Sequence, residues 1–216
     1  MQSYDPVMVV GFLLLLSIAP FVIMVTTSYL KLVVVMSLVR NALGVQQVPP
    51  TMVLNGLAII FSIFIMAPVA FDTAKHIPID SFSRSLTPGE MLRIADNAKG
   101  PMQKFLAKHA HEKTVHFFLE SAKRLWPKER AATLKADDLS ILIPAFAVSE
   151  LTRAFEIGFL LYLPFVTIDI IISNILLAMG MMMVSPMTIS LPFKLLLFVL
   201  LDGWSKLVQG LVLSYA

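Results

Sequence analysis

Four stretches of this chain are apolar over roughly the 20 residues a helix needs to cross the hydrocarbon core of a bilayer. No other feature constrains the fold as strongly. The first, Val7–Leu30, carries no charge and contains Pro20. Apolar character resumes after Lys31 and runs to Val39. The second, Met52–Phe71, is entered through Pro49-Pro50 and interrupted by Pro68. The third runs from Leu139 to Val184, too long for one simple span, with bends expected near Pro144 or Pro164. The fourth is Leu191–Leu213. Backbone groups in lipid must find partners within their own segment, so helices are the expected form. The expected fold is therefore an all-α membrane protein of about four long apolar helical segments, kinked or hairpin-like, with a polar helical insert between segments 2 and 3.

Composition agrees. Hydrophobic residues make up 57% of the chain and charged residues 14%, against about 25% charged in a soluble domain. Lipid or partner subunits must cover the excess apolar surface. The net charge of +3 is mild and forms no dense basic run, which gives no support to nucleic-acid binding. With no cysteine, disulfides and thiolate metal sites are excluded. Met1 to Pro6 carries Asp5 and no basic residue, so the first apolar run reads as a retained segment, not a cleaved signal.

The chain divides by composition into residues 1–71 (segments 1 and 2), the polar insert 72–138, and residues 139–216 (segments 3 and 4). The insert carries 12 of the 17 basic residues, 9 of the 14 acidic ones and all four histidines. Thr87-Pro88-Gly89-Glu90 has the form of a capping box with proline at the first helical position. Met102, Phe105, Leu106 and His109 share a helical face, as do Val115, Phe118, Leu119 and Ala122, with Pro127 expected to end that helix. Lys31 and Arg40, with no acid between the first two segments, put that loop in the cytoplasm by the positive-inside rule. The insert then lies on the periplasmic side. Its own basic character opposes this, but it is longer than the ~60-residue loops the rule governs.

The ionisable residues inside apolar segments are the most informative. Glu150, Arg153 and Glu156 are spaced i, i+3, i+6; Asp169 follows; Lys194, Asp202 and Lys206 lie in or beside the last segment. Each costs about 2.5–3.5 kcal/mol at a bilayer centre, so these charges must pair, line water or lie outside the hydrocarbon. Local pairing of Arg153 with Glu150 or Glu156, and of Asp202 with Lys206, leaves Asp169 and Lys194 without partners. Partners from another segment or subunit would make the charges specify assembly. A proton or ion relay is the third reading.

Met179-Gly180-Met181-Met182-Met183 is followed by Val184-Ser185-Pro186. Methionine packs irregular gaps, and ordinary core or lipid-facing packing accounts for such a run. A deformable constriction in a pore accounts for it too, and the flanking glycine and proline suit that second reading. Enzymatic motifs are missing: no phosphate-binding glycine loop, no G-x-S-x-G and no H-E-x-x-H occurs. His109, His111, Glu112 and His116 form a weak metal-site candidate, better read as surface residues. No cofactor is expected.

Three blocks carry a resemblance. They are Lys31-Leu-Val-Val-Val-Met-Ser-Leu-Val-Arg-Asn-Ala-Leu-Gly-Val-Gln-Gln-Val-Pro-Pro50, Ile143-Pro-Ala-Phe-Ala-Val-Ser-Glu-Leu-Thr-Arg-Ala-Phe-Glu-Ile-Gly-Phe159, and Met179 through Ser190-Leu-Pro-Phe-Lys-Leu-Leu-Leu-Phe-Val-Leu-Leu-Asp-Gly-Trp204. With them the chain resembles the FliP/SctR family of type III secretion export-apparatus membrane proteins, and its short N-terminus looks like the injectisome branch. The resemblance implies a pore-forming core subunit of the export gate, through which unfolded substrates cross the bacterial inner membrane. It implies a homo-oligomeric ring (a pentamer), raised toward the periplasm, that contacts two smaller apparatus membrane proteins, the export switch protein and membrane lipid. It also implies a gasket at Met179, Met181, Met182 and Met183, and an ion pair between subunits joining Glu150 and Lys194. The alternative is a secondary transporter or ion-conducting subunit using Glu150, Asp169 and Asp202.

Overall fold

A computed structural model describes residues 6–45, 47–76 and 88–216. Among these residues the regular elements are all helices: α1 (Pro6–Thr26), α2 (Tyr29–Ala42), α3 (Thr51–Lys75), α4 (Pro88–His109), α5 (Glu112–Leu125), α6 (Lys128–Ala131), α7 (Leu139–Ala178), α8 (Pro186–Leu200) and α9 (Gly203–Leu213). α3 and α7 are each long and apolar enough to cross a membrane. The pairs around the α1/α2 and α8/α9 breaks pass the same test as broken spans. The chain is thus an all-α, multi-pass membrane protein.

The breaks do not fall where the prolines do. Pro20 and Pro68 lie inside α1 and α3, and α7 runs unbroken through Pro144 and Pro164. A proline removes one N–H and crowds the preceding turn, which kinks a helix without ending it when the neighbouring bonds hold. The helix ends instead at Thr27-Ser28, and at Asp202, whose left-handed backbone (φ 53°) turns the chain by 59° between α8 and α9. Aspartate is one of the few side chains that tolerate this conformation.

Two compact units share the helices. The first draws on Met1–Leu30 and Pro68–Ser149. In it the buried face of α4 (Phe105, Leu106 and His109) meets the amino-terminal part of α7, with the Phe105 and Phe146 rings 5.6 Å apart. Ser149 Oγ accepts the His111 backbone N–H at 2.9 Å and donates to Ala145 O at 2.7 Å. α5 ends at Leu125, just before Pro127, as expected. α4 begins at Pro88, but Thr87 of the expected capping box lies outside the described residues.

The second unit comprises Lys31–Ala67 and Glu150–Ala216. Its centre is α2, not a loop as the sequence suggested. Leu32, Val35, Met36 and Val39 are fully withdrawn from solvent, the i, i+3, i+4, i+7 pattern of a core helix. α3 buries the single row Leu54, Ala58, Ser62 and Met66. Its other faces expose Ile59, Ile60, Ile63 and Phe64, a surface suited to lipid or protein rather than water.

Candidate functional site: two ion clusters and a methionine loop

The second unit gathers most of the intramembrane charges into two clusters. In the first, Glu150 on α7 is completely buried and accepts from three directions. Lys31 Nζ lies 3.2 Å from Oε2, with its side chain 1% exposed. Arg153 Nη1, one helical turn on, lies 3.1 Å from Oε1. The Tyr215 hydroxyl donates to Oε2, and Lys31 Nζ stands 3.6 Å from the centroid of the Tyr215 ring. One carboxylate thus neutralises one of two cations, and the aromatic face supports the more deeply buried one.

In the second cluster Lys194 Nζ is 2.6 Å from Asp169 Oδ2 and donates to the Ala42 carbonyl at 3.3 Å, capping the end of α2. Ser190, one turn before Lys194, donates to Asp169 Oδ1 at 2.6 Å. Asp169 and Lys194, which local pairing left without partners, are therefore each other's partner. Within the chain Glu150 and Lys194 belong to different clusters.

Other expectations from sequence change. Asp202 and Lys206 form no ion pair: Asp202 is the left-handed N-cap of α9, its carbonyl accepts the Lys206 N–H at 3.1 Å, and its carboxylate accepts instead from Ser205 Oγ at 3.0 Å. Glu156 and Lys206 are exposed. Lys31 is not a loop charge but a core residue, and Arg40 donates to Pro49 O and to Thr51 Oγ1 at the start of α3. Both charges behind the positive-inside argument are thus engaged by the protein itself. His109 is buried against Phe105, 4.9 Å between ring centroids, and is not a surface residue.

Sequence reasoning overlooked Lys31, Ser190 and Tyr215 as site residues. A lone lysine between apolar runs was a signal for the first, and the i, i+4 spacing to Lys194 for the second. Nothing local marked Tyr215.

The methionine run forms the turn between α7 and α8. Gly180 takes a left-handed conformation (φ 73°). The Met181 N–H reaches Leu176 O at 2.9 Å and the Gly180 N–H reaches Leu177 O at 3.0 Å. This is the double bond of a Schellman cap. Ser185 and Pro186 then open α8, with proline in the first turn where no N–H is needed. Between these two fixed ends, Met179, Met181, Met182 and Met183 are all exposed, Met183 entirely so.

The broken spans, buried lysines each paired with a carboxylate and an apolar loop held outward define a multi-pass membrane protein built around packed, bent helices. Residues 12–211 match the FliP family, and the chain belongs to it. It is 56% identical to Yop proteins translocation protein R of Yersinia pestis, over 99% of this chain and 98% of that one. It is 50% identical to virulence protein YscR of Salmonella typhimurium, over 98% of each. It is 48% identical to hypersensitivity response secretion protein HrcR of Ralstonia nicotianae, over the full length of both.

Proposed function

We propose that this chain is a pore-forming core subunit of a type III secretion export gate in the bacterial inner membrane, where several copies surround the path of unfolded protein substrates. The observation that carries the proposal is the methionine loop. Large apolar side chains on a capped turn, exposed in a single chain, need a partner surface, and methionine packs against surfaces that change. A ring of such loops closes a conduit by excluding water. Relatives named for translocation and secretion support the same reading.

The exposed apolar faces of α1 and α3 supply surface for neighbouring copies, for two smaller apparatus membrane proteins and for the export switch protein. The insert 72–138 is placed on the periplasmic side. A Glu150–Lys194 pair between copies belongs to this proposal, and would exchange for the pairs each makes within the chain. The ion-conducting alternative has less support, since Glu150 and Asp169 are each held by a lysine.

The test is replacement of Met181, Met182 and Met183 by alanine in the chain co-expressed with its apparatus partners. Ion leak across the membrane is expected, along with an extracted complex larger than a dimer. A tight membrane removes the gasket role, and a stable monomer removes the ring. Proton-coupled uptake lost in Asp169→Asn would favour the transporter. Reversal at Glu150 rescued by reversal at Lys194 in secretion assays would support the pair between copies.

A further inference from the structure

The break between α8 and α9 opens a cavity of about 450 Å³ in the second unit. Its floor is Val39, Phe165, Phe198, Leu207 and Leu211, all buried and apolar. One cation, Lys206, stands on its wall and is exposed. Among the described residues no carboxylate lies within ion-pairing distance of Lys206.

We infer that this cavity binds one acyl chain of an anionic phospholipid, with the lipid phosphate on Lys206. A lysine without a counter-ion in a membrane-spanning segment is costly and calls for an anion. The apolar floor calls for hydrocarbon, and a single ligand that joins the two is an anionic lipid. The cavity volume lies within the roughly 300–1,000 Å³ of small-ligand sites, and a spanning helix about 10 Å wide and 30 Å long, roughly 2,400 Å³, does not enter it whole. The inference rests on membrane placement alone and not on the pore role.

Gly210 and Trp204 make the site testable. Gly210 lines the cavity and a Cβ there would meet nothing within 4 Å, so Gly210→Leu starts from open space and takes up part of the cavity. The Trp204 ring packs edge-on against Phe198 of the floor, 5.4 Å between centroids. The chain has two tryptophans, and Trp126→Phe leaves Trp204 as its sole one, with Trp204→Phe in the same background giving the signal of the partner subunits to subtract. The complex, purified in detergent, is titrated with phosphatidylglycerol or phosphatidylcholine carrying brominated acyl chains, and Trp204 quenching is followed.

Phosphatidylglycerol is expected to bind about five-fold more tightly, as one lysine–lipid charge contact provides. Lys206→Gln should remove that preference, and Gly210→Leu should weaken saturable quenching by both lipids. Equal affinities in the parent protein, or a preference that survives Lys206→Gln, overturns the lipid assignment. Quenching unchanged in Gly210→Leu places the acyl chain elsewhere. Quenching seen in the isolated chain but absent from the assembled complex assigns the cavity to a neighbouring subunit instead.

Discussion

Lys31 on α2 and Glu150 on α7 bring Nζ and Oε2 to 3.2 Å, with both side chains withdrawn from solvent. Removing one partner of such a pair leaves a buried charge uncompensated, at about 3–5 kcal/mol. Glu150→Gln removes the acceptor shared by Lys31, Arg153 and Tyr215, so it is expected to cost more than Lys31→Met. Combining the two should cost less than their sum. Thermal unfolding in detergent measures each, and strict additivity would show that the two residues do not interact.

Tyr215 contributes through its hydroxyl and through its ring. Tyr215→Phe removes one hydrogen bond to a charged group, worth about 1.5–3 kcal/mol. Tyr215→Leu also removes the face beneath Lys31, for about 0.5–2 kcal/mol more. Equal melting temperatures for the two variants would mean that the ring contact adds nothing.

At Gly158, α7 approaches α2 so closely that an added Cβ would collide with the Leu38 side chain. Gly158→Ala is expected to destabilise by about 1–3 kcal/mol, the range for overpacking. Leu38→Ala should restore part of that loss by making room. If the second substitution only worsens the first, the close approach does not govern this interface.

The left-handed turn at Gly180 sets where the methionines point. Gly180→Ala places a Cβ in that conformation at about 1–2 kcal/mol, and Gly180→Asn should cost less. Limited proteolysis should cut the 179–185 turn faster in the alanine variant. Unchanged cleavage would mean that the turn keeps its form without glycine.

The apolar lengths, the polar insert and the Met-Gly-Met-Met-Met turn before Ser185-Pro186 could all be read from sequence, because each rests on local chemistry: hydropathy over a span, a left-handed residue at a helix end, proline where no N–H is needed. The proline bends could not. Whether a missing N–H ends a helix depends on how the surrounding turns are packed, and α7 continues through Pro144 and Pro164. Even the role of α2 was hidden, since a lysine between apolar runs suits a loop boundary as well as a core position.

By itself the sequence determined a membrane-spanning, helical chain with charges that must be neutralised, since the cost of a charge in hydrocarbon does not depend on the fold. Only the tertiary structure decided which charge meets which. It brought Lys31 to Glu150, Asp169 to Lys194 and Tyr215 to both members of the first pair, because partner choice follows how separate helices pack against one another, which no local spacing encodes.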